Sequence, residues 1–174
     1  MKHLLPPRLR IPGTIARDLG VKIVSGKLKP GTILDGEIAA SDPRWLEAIW
    51  QLNGVPVLCS LALGFDGEYY NINADEMAAA CAVSCQADTL VFLTDVPGVR
   101  GADGEVMRWL SIDRIGALTK DLVISGGMLP KLGACREALL HGVKRVRILP
   151  ATEAAVLPDI CSSRVTYGTE VMVA

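Results

Sequence analysis

Apolar side chains recur at intervals of three and four residues in several parts of the chain, which is the spacing of one helix face. Residues suited to helix starts precede two of these stretches: Asp42 with Pro43, and Asn73 or Asp75 before an Ala- and Cys-rich segment. We therefore predict helices over residues 43–53, 73–86, 111–118 and 130–141, and a last helix over residues 152–161 that Pro158 interrupts.

Short apolar runs lie between the predicted helices. Residues 55–63 and 89–93 are almost continuously apolar, which indicates buried strands. Residues 143–149 alternate between apolar and basic types, which favours a strand nearer a sheet edge. Shorter extended pieces are predicted at residues 21–24, 33–39, 68–70, 122–124 and 169–173. Because strands and helices alternate, we expect an α/β fold, a three-layer αβα sandwich with a mainly parallel sheet.

The composition fits one domain with a sizeable apolar core. Of the 174 residues 50% are hydrophobic, and the net charge is −1. This charge provides no basic field for nucleic acid or for an anionic membrane, and no apolar run approaches the roughly 20 residues that span a bilayer. We expect a cytoplasmic protein without nucleic-acid or membrane partners. Residues 1–20 are poorly patterned and rich in proline, so we place the domain at residues 21–174.

The cysteines do not indicate a metal centre. There are 5 of them, no C-x-x-C pair occurs, and the chain has only 2 histidines. We expect no metal-binding set, and small buried thiols in a reducing compartment.

The segment Asn71-Ile72-Asn73-Ala74-Asp75 is the first candidate for chemistry. Asp75 falls in the first turn of a predicted helix, where a carboxylate complements the helix dipole. The same carboxylate could hold a catalytic lysine in place, and Asn71 offers amide donors to a carboxylate. The spacing alone does not separate these roles.

A second candidate is Ser125-Gly126-Gly127, which precedes the helix that contains Lys131. Adjacent glycines permit unusual φ values and expose successive N–H groups, which suits a phosphate, although the Walker spacing is absent. Lys131 in the first turn opposes the helix dipole unless an anion lies between it and the helix end. The alternative is an ordinary surface lysine.

A third candidate follows the predicted strand at residues 89–93. Ligands of open α/β sheets lie beyond the carboxyl ends of the strands. Asp95 could accept a hydrogen bond from a ribose hydroxyl or an adenine amine, and Gly98 would let the backbone approach a ligand. A plain strand-to-loop turn with a capping Asp explains the same residues.

Together, residues 71–75, 93–99 and 126–131 resemble, in order and spacing, the acetylglutamate kinases of the amino-acid kinase family. The resemblance covers residues 21–174 and includes residues 35–38 and 168–170. It implies an amino-acid kinase-like fold that is N-terminally truncated, in which residues 21–174 form a partial domain, the ATP-binding half.

The resemblance also implies a reaction, the transfer of the γ-phosphoryl group of ATP to the side-chain carboxylate of N-acetyl-L-glutamate in arginine biosynthesis. Lys131 matches the lysine that neutralises charge on the phosphoryl group in transfer. Asp75 matches the acid that positions catalytic lysines, and Asn71 matches an acetylglutamate contact. Mg²⁺ would arrive with ATP. The nucleotide-binding segments match Asp95, Val96, Pro97, Gly98, Val99, Arg100, Val123, Ile124 and Ser125.

Several parts of the family pattern have no counterpart in this sequence. They are the first strand, the glycine loop with a second phosphate-facing lysine, and the segments that grip acetylglutamate. We therefore expect impaired activity of this chain alone, and a homo-oligomer or a complementing chain as partner. The alternatives are a non-catalytic nucleotide-binding or regulatory remnant, and a related kinase that acts on another acid such as an aminoadipate derivative.

Overall fold

The computed structural model describes residues 22–24, 37–121, 123–124, 126–157 and 167–173. These residues separate into two compact units. The first unit contains the described residues up to Pro56 together with Leu61–Asn71, and the second contains Val57–Ser60 and the described residues from Ile72 onward. The predicted domain boundary at residue 20 lies outside the described residues and stays a prediction.

The first unit contains two antiparallel strand pairs and one helix. Strand β1 (Lys22–Val24) pairs with β2 (Glu37–Ala40). Helix α1 (Arg44–Gln51) follows, close to its predicted position. Strands β3 (Leu61–Leu63) and β4 (Tyr69–Asn71) form a hairpin, which confirms the short extended piece predicted near residue 70.

Local side-chain and turn chemistry explains these elements. The Asp42 carboxylate accepts the Arg44 N–H at 3.1 Å, which satisfies one free donor of the first turn of α1. Gly67 adopts a φ of +88° in the turn between β3 and β4, a conformation that favours glycine. Tyr70 is buried in β4, and its hydroxyl donates to the Asp66 carboxylate at 2.7 Å, which ties the strand to this turn.

The second unit contains a four-stranded sheet in the order β5-β7-β8-β6. The β5–β7 and β6–β8 pairs are parallel, and the central β7–β8 pair is antiparallel. The prediction of an α/β fold with a mainly parallel sheet is therefore confirmed. The strands are β5 (Thr89–Thr94), β6 (Trp109–Ser111), β7 (Arg145–Pro150) and β8 (Thr169–Met172).

Three α-helices and a 3₁₀ helix accompany this sheet in the described part of the chain. They are α2 (Ala74–Ser84), α3 (Ile112–Lys120), α4 (Met128–Leu140) and the 3₁₀ helix Ala151–Val156. Helix α2 packs against α4, and α4 packs against β7 and β8. Small side chains on both helices permit this close approach. The shared core includes Ala79, Ala82, Phe92, Leu132, Ala138, Leu139, Val146, Ile148 and Val171.

The position of β7 corrects the prediction of a strand near an edge. It lies between β5 and β8, and residues 146–149 are all buried, so both faces of the strand are covered. The basic side chains of its alternating pattern find partners within the protein. Arg145 pairs with Glu170 at 3.3 Å, and Arg147 donates to the Tyr167 carbonyl at 2.7 Å.

The predicted buried strand over residues 55–63 is wrong for most of its length. Only Leu61–Leu63 is extended and paired, while Val55 and Val57 are 86% and 93% exposed. Pro56 cannot donate to a ladder, and the run divides between the two units. An apolar run alone carries no signal for such a division.

Two further predictions need correction. The N–H groups of Val123 and Ile124 both donate to the Leu118 carbonyl, at 3.0 and 3.3 Å, so these residues close α3 instead of forming an extended piece. The last predicted helix is a 3₁₀ helix as far as Val156, and residues 158–161 lie outside the described ranges. No helix in the described ranges combines the length and the apolar content needed to cross a bilayer.

Candidate active site

The start of α2 is fixed by the side chain of Asn73. Its amide oxygen accepts the N–H of Asp75 at 2.9 Å and the N–H of Glu76 at 3.3 Å. Asn73 is therefore the N-cap, and Asp75 lies in the first turn. Because Asn73 satisfies these donors, the Asp75 carboxylate is left for another partner.

Helix α4 begins without a side-chain cap among the described residues. Its N-cap is Gly127, and the preceding Gly126 has a φ of +60°. Lys131 lies in the first turn of the helix, and Ser125 lies outside the described ranges. The Leu129 N–H donates to the Gly126 carbonyl at 3.2 Å, and Pro130 has no N–H. At this helix start, the described N–H groups suited to an anion are therefore those of Gly127 and Met128.

Lys131 and Asp75 join the starts of these two helices. Lys131 Nζ lies 2.5 Å from Asp75 Oδ1 and 4.9 Å from the centroid of the Phe92 ring. The two side chains are only 14% and 21% exposed. Water and salt therefore screen this pair less than a surface pair, and Lys131 is not the surface lysine that its sequence alone permitted.

Cys135 lies one turn beyond Lys131 on α4 and is buried. Burial raises the pKa of the Cys135 thiol to about 12, the charge of Lys131 opposes this rise, and Asp75 adds to it. The thiol is neutral at physiological pH and brings no second negative charge to Lys131. The expectation of buried thiols holds for Cys135 but fails for Cys59, which is exposed.

A cavity of about 530 Å³ opens at the carboxyl ends of β5 and β7. Small-molecule sites in open α/β sheets occupy this position, and their volumes are about 300–1,000 Å³. Two residues of the predicted nucleotide-binding segments line it, Asp95 and Pro97. The full lining is Asp95, Pro97, Val106, Arg108, Pro150, Thr152, Glu153, Tyr167 and Gly168.

The loop after β5 is held by contacts within the protein. The Val99 N–H donates to Thr169 Oγ1 at 2.9 Å, and a Cβ added to Gly98, whose φ is +152°, would lie 2.8 Å from the same oxygen. Arg100 donates to the Gly104 carbonyl at 2.6 Å. These contacts explain why glycine is needed at position 98 without a ligand.

The remaining residues of the predicted nucleotide-binding segments have other surroundings. Val96 and Val123 are partly exposed, and Ile124 belongs to the buried core. The cavity lining does not include these three residues. It also does not include Gly98, Val99 and Arg100. Their assignment to the nucleotide stays a prediction.

Asn71 ends β4 in the first unit. It is exposed and pairs in register with Leu61 of β3. Its contact with acetylglutamate stays a prediction.

Sequence reasoning missed four polar or aromatic residues of the cavity, Arg108, Thr152, Glu153 and Tyr167. Arg108 precedes β6, an unpredicted strand, and its carbonyl accepts the Glu170 N–H of β8 at 2.8 Å. Thr152 and Glu153 are neighbours in the 3₁₀ helix, whereas Arg108 and Tyr167 come from two other segments, and strand pairing brings these three segments together. Their spacing along the chain contained no signal for this.

Comparison with known proteins identifies the family. The sequence profile of the amino acid kinase family matches residues 11–150. The chain belongs to the amino acid kinase family. Within this family, acetylglutamate kinase from Acidobacterium capsulatum is 78% identical over 137 residues, which cover 79% of this chain and 53% of that enzyme. Acetylglutamate kinase from Koribacter versatilis is 56% identical over 137 residues, which cover 79% of this chain and 52% of that enzyme.

The resemblance to acetylglutamate kinases is therefore confirmed. The chain spans about half the length of those two relatives. A solved structure agrees at the level of the fold. N-acetylglutamate synthase from Neisseria gonorrhoeae, in complex with coenzyme A and L-arginine, superposes with a TM-score of 0.75 over 90% of this chain and 37% of that chain. At 24% identity this likeness supports the fold alone.

Proposed function

We propose that the chain is the ATP-binding portion of an acetylglutamate kinase, which transfers the γ-phosphoryl group of ATP to the side-chain carboxylate of N-acetyl-L-glutamate, in cytoplasmic arginine biosynthesis. The observation that carries the proposal is the 2.5 Å contact between Lys131 and Asp75 at the starts of two helices. The 78% identity with the Acidobacterium capsulatum enzyme supports the choice of substrate.

Lys131 would neutralise charge on the group in transfer. A carboxylate is already a competent nucleophile, so the reaction needs no base, and catalysis depends on alignment and charge neutralisation. Asp75 would hold the Lys131 ammonium in place from the capped start of α2, and the face of the Phe92 ring would attract the same charge. A single preorganised donor of this kind contributes about 3–4 kcal/mol to transition-state stabilisation.

The nucleotide would use two other features of the second unit. The cavity that Asp95 and Pro97 line would take the nucleoside, and the uncapped start of α4 would face the phosphates. In the described ranges no group of three or more His, Cys, Asp and Glu side chains could hold a metal ion. Mg²⁺ would arrive with ATP and would supply further charge neutralisation at its phosphates.

Catalysis would also need a partner, either a second copy or a complementing chain. The chain matches about half of its acetylglutamate kinase relatives, and Asn71 is the only residue that we assign to acetylglutamate. Exposed apolar side chains between residues 50 and 69 would provide surface for such an association.

An ADP-release assay with Mg-ATP and N-acetyl-L-glutamate tests the function. The chain is assayed alone and mixed with the part of the Acidobacterium capsulatum enzyme outside the matched region. We expect slow or no turnover alone and clear turnover in the mixture. Lys131→Met should lower kcat in the mixture by about 10²–10³-fold and change the KM for ATP much less. The matched control is Lys144→Met, which removes an exposed pair with Asp88 at 2.6 Å and should leave turnover unchanged.

The other outcomes are equally informative. Equal turnover for the two lysine variants would overturn the role of Lys131. Normal turnover by the chain alone would overturn the need for a partner. ATP binding without turnover in any mixture would favour a non-catalytic nucleotide-binding remnant, and turnover only with an aminoadipate derivative would identify a different acceptor.

A further inference from the structure

Tyr167 is an exposed aromatic residue in the lining of the cavity. It immediately precedes β8, and 52% of its surface is accessible. Its neighbours in the lining include Asp95, Glu153 and Arg108. None of the roles assigned so far uses its ring.

The backbone that carries this ring is fixed. Arg147, a buried residue of β7, donates to the Tyr167 carbonyl at 2.7 Å. The next residue, Gly168, has a φ of +68°, and a Cβ there would clash with the Ile148 carbonyl oxygen. An aromatic side chain on a fixed backbone has few torsions to order, so it loses little conformational entropy when a ligand packs against it.

The charges of the lining indicate which part of a nucleotide lies here. Asp95 and Glu153 provide two carboxylates against the single guanidinium of Arg108. A triphosphate would be repelled by the two carboxylates, whereas the amino group of a base could donate to them. Lys131, the cation proposed for the phosphates, is not among the lining residues. The cavity therefore suits a nucleobase.

We propose that Tyr167 stacks on the nucleobase of the bound nucleotide and thereby makes the chain prefer a nucleoside triphosphate over a triphosphate without a base. This inference rests on the proposed ATP binding. It extends that proposal by assigning part of the nucleotide affinity to one side chain.

Fluorine NMR on the unaltered chain provides the first test. The chain has 3 tyrosines, Tyr69, Tyr70 and Tyr167, so labelling with 3-fluorotyrosine gives a simple spectrum, and Tyr167→Phe assigns one signal. Mg-ATP should shift the Tyr167 signal through the ring current of the base, whereas inorganic tripolyphosphate should leave it in place. An unmoved Tyr167 signal under saturating ATP would overturn the proposal.

Calorimetric affinities provide the second test. Tyr167→Leu keeps an apolar side chain but removes the aromatic face, and it should weaken ATP binding roughly 5- to 150-fold. Its affinity for tripolyphosphate should be unchanged, and Tyr167→Phe should bind ATP like the unaltered chain. The matched control is Trp109→Leu, because Trp109 is an exposed aromatic residue outside the cavity lining.

The outcomes separate this inference from the proposed function. Unchanged ATP affinity in Tyr167→Leu would overturn stacking and leave the kinase assignment standing. Equal losses for ATP and tripolyphosphate would also overturn stacking, because they indicate a structural role. Absence of ATP binding in the unaltered chain would overturn both proposals.

Discussion

Lys131 and Lys144 form ion pairs of nearly equal length in opposite surroundings. Lys131 lies 2.5 Å from Asp75 with both side chains mostly buried, whereas Lys144 lies 2.6 Å from Asp88 with side chains 76% and 77% exposed. Water and salt screen the second pair, so it contributes little to either stability or field. The charge of Lys131 retains its effect over the start of α4, where we place the phosphates.

The buried thiol next to Lys131 makes stability depend on pH. Burial raises the pKa of Cys135 from its ordinary value of 9.0 to about 12. Above about pH 9 the unfolded chain releases this proton while the folded chain keeps it. Above about pH 9, Cys135 should therefore make the free energy of unfolding fall with rising pH, by up to about 1.4 kcal/mol per pH unit. Below about pH 9, Cys135 should add no pH dependence to the free energy of unfolding.

Urea unfolding at about pH 8 and about pH 10 checks this, with Cys135→Ala as the reference, because other groups titrate equally in both proteins. The difference in stability between the two proteins should shrink as the pH rises. Parallel pH profiles would show that the Cys135 thiol titrates normally in the folded state.

At the scale of elements, α2 depends on one residue for its start. Asn73→Ala removes the acceptor for two backbone N–H groups and should lower the free energy of unfolding by about 0.5–2 kcal/mol. Asn73→Asp keeps an acceptor and should retain most of the stability. Thermal or urea unfolding gives the measurement.

Ser111→Ala is the matched control for this prediction. Ser111 caps α3 by accepting one N–H, that of Asp113, at 3.3 Å. Ser111→Ala should therefore lower the free energy of unfolding less than Asn73→Ala does. If Asn73→Ala proved as stable as the unaltered chain, the capping contacts would contribute nothing to the stability of α2.

The sequence predicted the elements whose signals are local. Helices α1, α2, α3 and α4 were found close to their positions because caps, prolines and apolar spacing lie within each segment. Apart from the last predicted helix, which is a 3₁₀ helix, the errors concern extended segments, whose environment is set by distant partners. Residues 55–63 are divided between units, and the basic residues of β7 meet Glu170 and the Tyr167 carbonyl from a segment more than 15 positions away.

In the candidate site, too, the sequence predicted the residues of local motifs and missed those that distant segments contribute. A motif resemblance selected Lys131, Asp75 and Asp95, and the structure brings the first two into contact. Arg108 and Tyr167 reach the cavity because β6 and β8 pair with each other, which no local spacing predicts. The contact of Asn71 with acetylglutamate remains a prediction from the motif alone.

At the scale of the whole molecule, exposed apolar side chains are concentrated in one stretch of sequence. Such residues favour association when they are numerous. The exposed large apolar residues between positions 50 and 69 are Trp50, Leu52, Val55, Val57, Leu58, Leu61, Phe65 and Tyr69.

We expect the isolated chain to associate, and Val57→Asp to reduce this association, because it places a charge at a position that is 93% exposed. Light scattering after size-exclusion chromatography measures the mass. The control is Val173→Asp, at an exposed valine outside this stretch, which should leave the mass unchanged. A stable monomer at all concentrations would contradict the prediction.

The central place of β8 also has a consequence for how the chain is made. Among the described strands, β6 pairs only with β8. The ribosome synthesises β6 first, then β7 and finally β8, so the partner of β6 appears last. The sheet therefore cannot be assembled strand by strand during translation, and β6 has to wait with an open edge. Such a delay lengthens the time during which a nascent chain is exposed to chaperones and to aggregation.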